Sequence, residues 1–154
     1  MASDPQTGTS SRKPSLSDVE RSAARYLFAI AMLSGSGSDR VTTGELQKYL
    51  DVAPASVTGM ISKLADRGLI EYEKYQGVTL TDRGETIATR AGWRFCVVST
   101  FFDSVLGTTL DEEMAFDIGI VLPKRGVFRL RSLADSACLD LCPESNDDAD
   151  RGVA

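Results

Sequence analysis

Histidine is absent from the chain, and that absence removes more chemistry than any single residue type adds. Without imidazole, the commonest general base and the commonest nitrogen ligand for transition metals are both missing. No carboxylate dyad, phosphate-cradling glycine loop or nucleophile–base pair makes up for it, so an enzyme is not expected. Cysteine is scarce as well. The three present, Cys96, Cys138 and Cys142, do not make the disulfide framework of a small secreted domain. Long apolar runs are also lacking: the longest, Phe95–Leu106, is interrupted by Ser99, Thr100, Asp103 and Ser104. It falls short of the roughly 20 residues needed to span a bilayer. No basic start followed by an apolar run marks a signal peptide. A soluble, cytoplasmic protein with no membrane partner is expected.

Positive charge is in deficit, at a net −5, which at first argues against a nucleic-acid partner. The distribution changes that view. Between Arg12 and Phe95 there are 12 basic and 10 acidic residues, and the remainder holds 5 against 12. Phosphate contact needs a local basic face, not a basic protein. Asp outnumbers Glu by 14 to 8 and Arg outnumbers Lys by 12 to 5, an acidic, lysine-poor balance that keeps a protein hydrated in concentrated salt. Residues 1–14 and 144–154 are rich in Ser, Asp, Gly and Pro and read as disordered tails. With 42% hydrophobic residues, what lies between can build a core.

Three capping boxes punctuate that middle: Ser17-x-x-Glu20, Thr42-x-x-Glu45 and Thr109-x-x-Glu112. The first, with Leu16 as a staple, opens a helix whose apolar face is Ala23, Ala24, Leu27, Ile30, Ala31 and Leu33, stopped by the glycines of Ser34–Arg40. The second opens a short helix through Leu50 that buries Leu46, Tyr49 and Leu50. After Asp51–Pro54 a third helix, Ala55 to Asp66, buries Val57, Met60, Ile61 and Leu64, and Gly68 caps its end. Leu69–Lys74 and Val78–Thr81 read as strands joined by Tyr75-Gln76-Gly77. Thr81 or Asp82 then caps a long helix to about Leu106, with Gly107 as its stop. Thr109 opens a helix that ends by Pro123, and a last helix runs from Gly126 to about Leu141.

Helix, tight turn, helix and two-stranded ribbon in that order make a winged helix-turn-helix over residues 15–90. A helical dimerisation region follows over 91–143, and the fold class is mostly α. The helix after the turn is apolar on one side and small or hydrogen-bonding on the other, as close approach to base edges demands. The residues assigned to DNA are Thr43, Ala55, Ser56, Thr58, Gly59, Ser62 and Lys63, with Lys74 and Gln76 at the wing tip. Gly59 stands where a base-reading side chain would be useful, so shape and backbone contacts are expected to carry much of the specificity. The bland reading of the same face is a solvated helix surface.

The run VAPASVTGMISKLADRGLIEYEKYQGVTLTDRGETIATR, with its P-x-S-V-T-x-M-x-x-K-L and L-I-x-Y-E-K-Y-x-G-V-x-L-T-x-x-G segments, resembles the metal-dependent repressors of the DtxR/MntR type. Ala24–Ser34 is similar to their first helix, Asp111–Pro123 to their dimerisation segment and Cys142-Pro143 to the Cys-Pro after their last helix. The resemblance spans about Ser17–Pro143 and is specific over Val52–Gly84. It implies a homodimeric transcription regulator of double-stranded DNA in which Mn²⁺ or Fe²⁺ fixes the spacing of two recognition helices. The ligand positions it implies fall on Arg25, Phe28, Phe95, Phe116, Gly119 and Ile120. If the frame slips one or two residues earlier on the helix that ends by Pro123, only Asp117 and the thioether of Met114 would be donors. A hard divalent cation wants carboxylate and imidazole, so the metal site reads as lost, its place taken by a hydrophobic cluster.

Two alternatives remain: a MarR-like regulator responding to a small apolar ligand, and a winged helix serving only protein–protein contact. Cys138 and Cys142, four apart, share a helix face and are candidates for a thiol pair or a soft-metal site. Two thiolates do not complete a zinc shell unless a dimer brings four together, so the reading taken is a small core residue and a remnant of the Cys-Pro. Trp93, Phe95, Phe101 and Phe102 read as core and dimer interface before they read as a ligand pocket. Asp111–Glu113 suit the positive end of their helix without any metal.

Overall fold

The structure is a computed structural model and describes residues 16–35 and 40–134. Six helices and one ribbon follow in the order α1 (Leu16–Ser34), α2 (Thr43–Leu50), α3 (Pro54–Asp66), β1 (Ile70–Glu73), β2 (Gly77–Leu80), α4 (Asp82–Ser104), α5 (Glu112–Val121) and α6 (Lys124–Ala134). The two tails, the Ser17–Glu20 box side chains, most of the Gly-rich stop after α1, and Cys138 and Cys142 lie outside what is described.

The expected capping box of α2 forms in full. Thr42 Oγ1 accepts from the Glu45 amide at 3.1 Å, and the Thr42 amide donates to Glu45 Oε2 at 2.8 Å. These bonds to the charged form hold the Glu45 carboxyl below its ordinary range. Helix α3 begins one residue earlier than expected, at Pro54, whose missing amide costs nothing at a first helical position. It ends as expected at Gly68, which takes φ +71, while its amide bonds Ala65 O at 3.0 Å and the Leu69 amide bonds Leu64 O at 3.0 Å. That pair of bonds is a Schellman closure.

The ribbon pairs Ile70 with Leu80 through Glu73 with Gly77. The loop is therefore Lys74-Tyr75-Gln76, with Tyr75 in the left-handed region at φ 68, and Gly77 is the first strand residue instead of part of the turn. A Cβ on Gly77 would collide with the Val41 carbonyl oxygen, which is how closely Val41 approaches as it bridges Val78 through bonds of 2.8 and 2.9 Å.

Thr81 caps α4, accepting from the Gly84 amide at 3.2 Å. The helix stops at Ser104, two residues short of the expected end. The cap of α5 is a correction: Asp111 Oδ1, not Thr109, accepts from the Met114 amide at 2.8 Å, and Thr109 Oγ1 bonds Asp103 Oδ1 at 3.2 Å. A carboxylate beside the positive helix end outcompetes a hydroxyl two residues further out. Helix α6 starts at Lys124, two residues before the expected Gly126.

Three apolar clusters result. The first joins α1, α2, α3 and the ribbon through Leu27, Ile30, Leu46, Val57, Leu64 and Val78. The second lies under α4 and α6, where Trp93 packs on Phe128 in a tilted pair with ring centroids 5.0 Å apart. Between them sits the third, Ala24, Phe28, Ala91 and Phe116, with Ile87, Phe95 and Ile120 packed on it.

Candidate nucleic-acid interface and the cluster behind it

Asp51 closes α2 in the left-handed region at φ 53, and three residues later α3 starts across it. The shared core of Leu46, Leu50, Val57 and Ile61 fixes the crossing. What α3 turns away from that core is Ala55, Ser56, Thr58, Gly59, Ser62 and Lys63, and every one of them is exposed. Thr43, Lys74 and Gln76 are exposed too. Thr43, Thr58 and Ser62 come together on one concavity of about 280 Å³ between α2, α3 and the ribbon. Thr58 Oγ1 already donates to Pro54 O at 3.1 Å, which leaves its lone pairs outward. At the wing, Lys74 Nζ lies 5.3 Å from the Tyr75 ring centroid, and Arg40 pairs with Glu73 at 3.2 Å.

Sequence reasoning missed Tyr72, which lines the same concavity and is 45% exposed. The signal was present: Ile70 is buried, and a strand residue two places on shares its side of the ribbon. Tyr75, at 91% exposure the most open large hydrophobic side chain among the described residues, sits at the wing tip between Lys74 and Gln76.

Behind this face, the positions to which the resemblance assigns metal ligands do meet in space. Phe28 of α1 lies 5.5 Å from Phe95 of α4 and 5.6 Å from Phe116 of α5, centroid to centroid, and Ile120 packs against them. Arg25 makes a 2.8 Å ion pair with Glu113. Gly119 is buried, and a Cβ there would press on the Arg94 backbone at 3.1 Å. Arg94 in turn donates to Gly119 O at 2.9 Å and Leu122 O at 2.7 Å, satisfying carbonyls left open at the end of α5. Tyr49 donates to Glu112 at 2.8 Å, and its hydroxyl is pushed up to about 12 by burial, by that bond and by the Glu112 charge. In the shifted frame Asp117 is half-buried and Met114 is half-exposed. Among the described residues no group of three or more acidic or Cys side chains is gathered to hold a metal. No helix of the described residues is long and apolar enough to cross a membrane.

The family model for the iron-dependent repressor, N-terminal DNA-binding domain, matches residues 18–78. An uncharacterized HTH-type transcriptional regulator of Methanocaldococcus jannaschii is 33% identical over 97 residues, covering 63% of this chain and 76% of that protein. The HTH-type transcriptional regulator MntR of Lysinibacillus sphaericus is 34% identical over 86 residues, covering 56% of this chain and 58% of that one. A manganese-dependent transcriptional repressor solved with manganese superposes with a TM-score of 0.66 at 27% identity, over 73% of this chain and 52% of that one. The match thus spans about half to three-fifths of these last two proteins. The chain belongs to the DtxR/MntR-type iron-dependent repressor family of winged helix-turn-helix transcription regulators, a family of DNA-binding proteins and not of enzymes.

Proposed function

We propose that the chain is a homodimeric, sequence-specific repressor that binds duplex DNA through α3 and the wing, and that Mn²⁺ or Fe²⁺ at the family position does not control it. The reading head would be residues 15–90 and the dimerisation region 91–143. The exposed small and hydroxyl-bearing face of α3 carries the DNA reading. Ser56, Thr58 and Ser62 offer short hydrogen-bonding groups, Ala55 and Gly59 permit close approach, and Lys63 and Lys74 offer charge to phosphate. Thr43 and Gln76 flank this face on either side.

The donor chemistry behind the head supports the second half. Phenyl rings have no lone pair to give a hard cation, and Arg25 brings a positive charge where a carboxylate would be needed. The residues at these positions do not fit Mn²⁺ or Fe²⁺, and their packing ties α1, α4 and α5 together without an ion. No zinc role is assigned to Cys138 and Cys142.

Gel shifts on genomic fragments test the DNA reading and separate it from a winged helix used only for protein contact. On a bound fragment, Lys63→Ala should weaken binding to all sequences alike and lower the slope of log K against log salt by about one. An unchanged slope removes Lys63 from the interface. In the same preparation Mn²⁺ and Fe²⁺ should leave the melting temperature unmoved, because an ion bound only to the native state would raise it by mass action. A saturable rise would overturn the metal-independent reading.

A further inference from the structure

One cavity lies away from the DNA-facing concavity and borders the aromatic cluster, sharing Ala24, Ile87 and Ile120 with it. It holds about 370 Å³ at the joint where α1, the end of α3, the start of the ribbon and the first turns of α4 meet. Its walls are aliphatic, with Ala24 and Leu27 on α1, Leu69 before the ribbon, Ile87 on α4 and Ile120 on α5. Arg67 and Arg83 also line it, and both are exposed. Among the described residues neither guanidinium makes an ion pair. Arg83 Nη1 reaches only the Arg67 carbonyl oxygen, at 3.3 Å.

Two cations with no ion pair among the described residues, beside an apolar hollow, are an uneven arrangement for a surface. Like charges lining one hollow repel, and an apolar hollow left to water gives up burial. Both costs fall if a single molecule brings an anion to the arginines and a hydrocarbon chain to the hollow. The anion is best a carboxylate, which matches the fork of a guanidinium. The lining contains no aromatic side chain, which favours a flexible aliphatic body over a flat ring.

We propose that this cavity binds a small aliphatic monocarboxylate, its chain against Leu27, Ile87 and Ile120 and its carboxylate at Arg67 and Arg83. Such a ligand would touch the end of α3, α1, the first turns of α4 and α5 at once. The proposal does not depend on DNA binding and can be measured without it.

The test is calorimetric titration of the full chain with octanoate, with octanol as the uncharged control and acetate as the control without a tail. Octanoate should saturate one site per chain, and both controls should bind at least about tenfold more weakly, as expected when one charge-assisted bond or one buried chain is removed. Arg67→Gln and Arg83→Gln should each weaken octanoate about tenfold while leaving any octanol binding unchanged. Both residues are exposed, so the variants should melt like the parent. Equal affinity for octanol, equal affinity for acetate, octanoate binding untouched in both variants, or no saturable heat with octanoate would each overturn the proposal.

Discussion

A Cβ at Gly84 would run into the Leu69 carbonyl oxygen and come within 3.4 Å of Leu80 Cδ2, so the first turn of α4 can lie against the base of the wing only because that position has no side chain. The approach is held by Thr81, whose amide bonds Leu69 O at 3.1 Å and whose hydroxyl donates to Gly68 O at 2.7 Å. Gly84→Ala should therefore destabilise by about 1–3 kcal/mol, an overpacking cost that outweighs the gain of roughly 1 kcal/mol in helix propensity. Gly59 is the opposite case. A Cβ there meets nothing within 4 Å, so Gly59→Ala should stabilise by up to about 1 kcal/mol. Urea midpoints of the two variants check both signs, and movement in the same direction would show that backbone approach at α4 is not the constraint.

Helices α1, α4 and α5 are joined by the Phe28, Phe95 and Phe116 rings, and the cost of losing one is a cavity in addition to lost transfer energy. Phe116, only 3% exposed, should cost about 3–5 kcal/mol when changed to Ala, read by chemical denaturation. A loss below about 1 kcal/mol would mean that the helices are held by something else. How far this was visible in the sequence depends on range. The Thr42–Glu45 box, the Gly68 closure and the helical spacing of Val57, Ile61 and Leu64 are local patterns, and each formed where expected. The cap of α5 was misassigned because Thr109 and Asp111 both precede the helix and only their competition for the Met114 amide decides between them. Tyr49 with Glu112, 63 residues apart, and Arg94 with Gly119, 25 apart, obey no local period. The aromatic cluster was legible only through the resemblance, which set three distant positions side by side.

At the scale of the whole molecule, the reading head is tied to α5 by two polar contacts besides the rings: Arg25 to Glu113 and Tyr49 to Glu112, both at 2.8 Å. The second belongs to α2, so it links the helix before the recognition turn directly to the segment assigned to dimerisation. It also has a pH signature. Tyr49 is raised to about 12 in the folded chain, from the ordinary tyrosine value of 10.0. Between those values the unfolded tyrosine has lost its proton and the folded one keeps it, so the unfolded state binds fewer protons and stability falls as pH rises. The contribution is complete below about pH 10 and is lost as pH passes through about 12. Tyr49→Phe removes both the bond and the titration. The variant should be less stable than the parent at pH 8, by about 0.5–1.5 kcal/mol for one hydrogen bond, and the gap should narrow as pH climbs past 10. Tyr26 is also raised by burial, but it is so in both proteins and cancels in the difference. Parent and variant unfolded in parallel from pH 8 to 11.5 give that difference directly, and a gap that stays constant or widens would mean that Tyr49 does not hold the head to α5 through its proton.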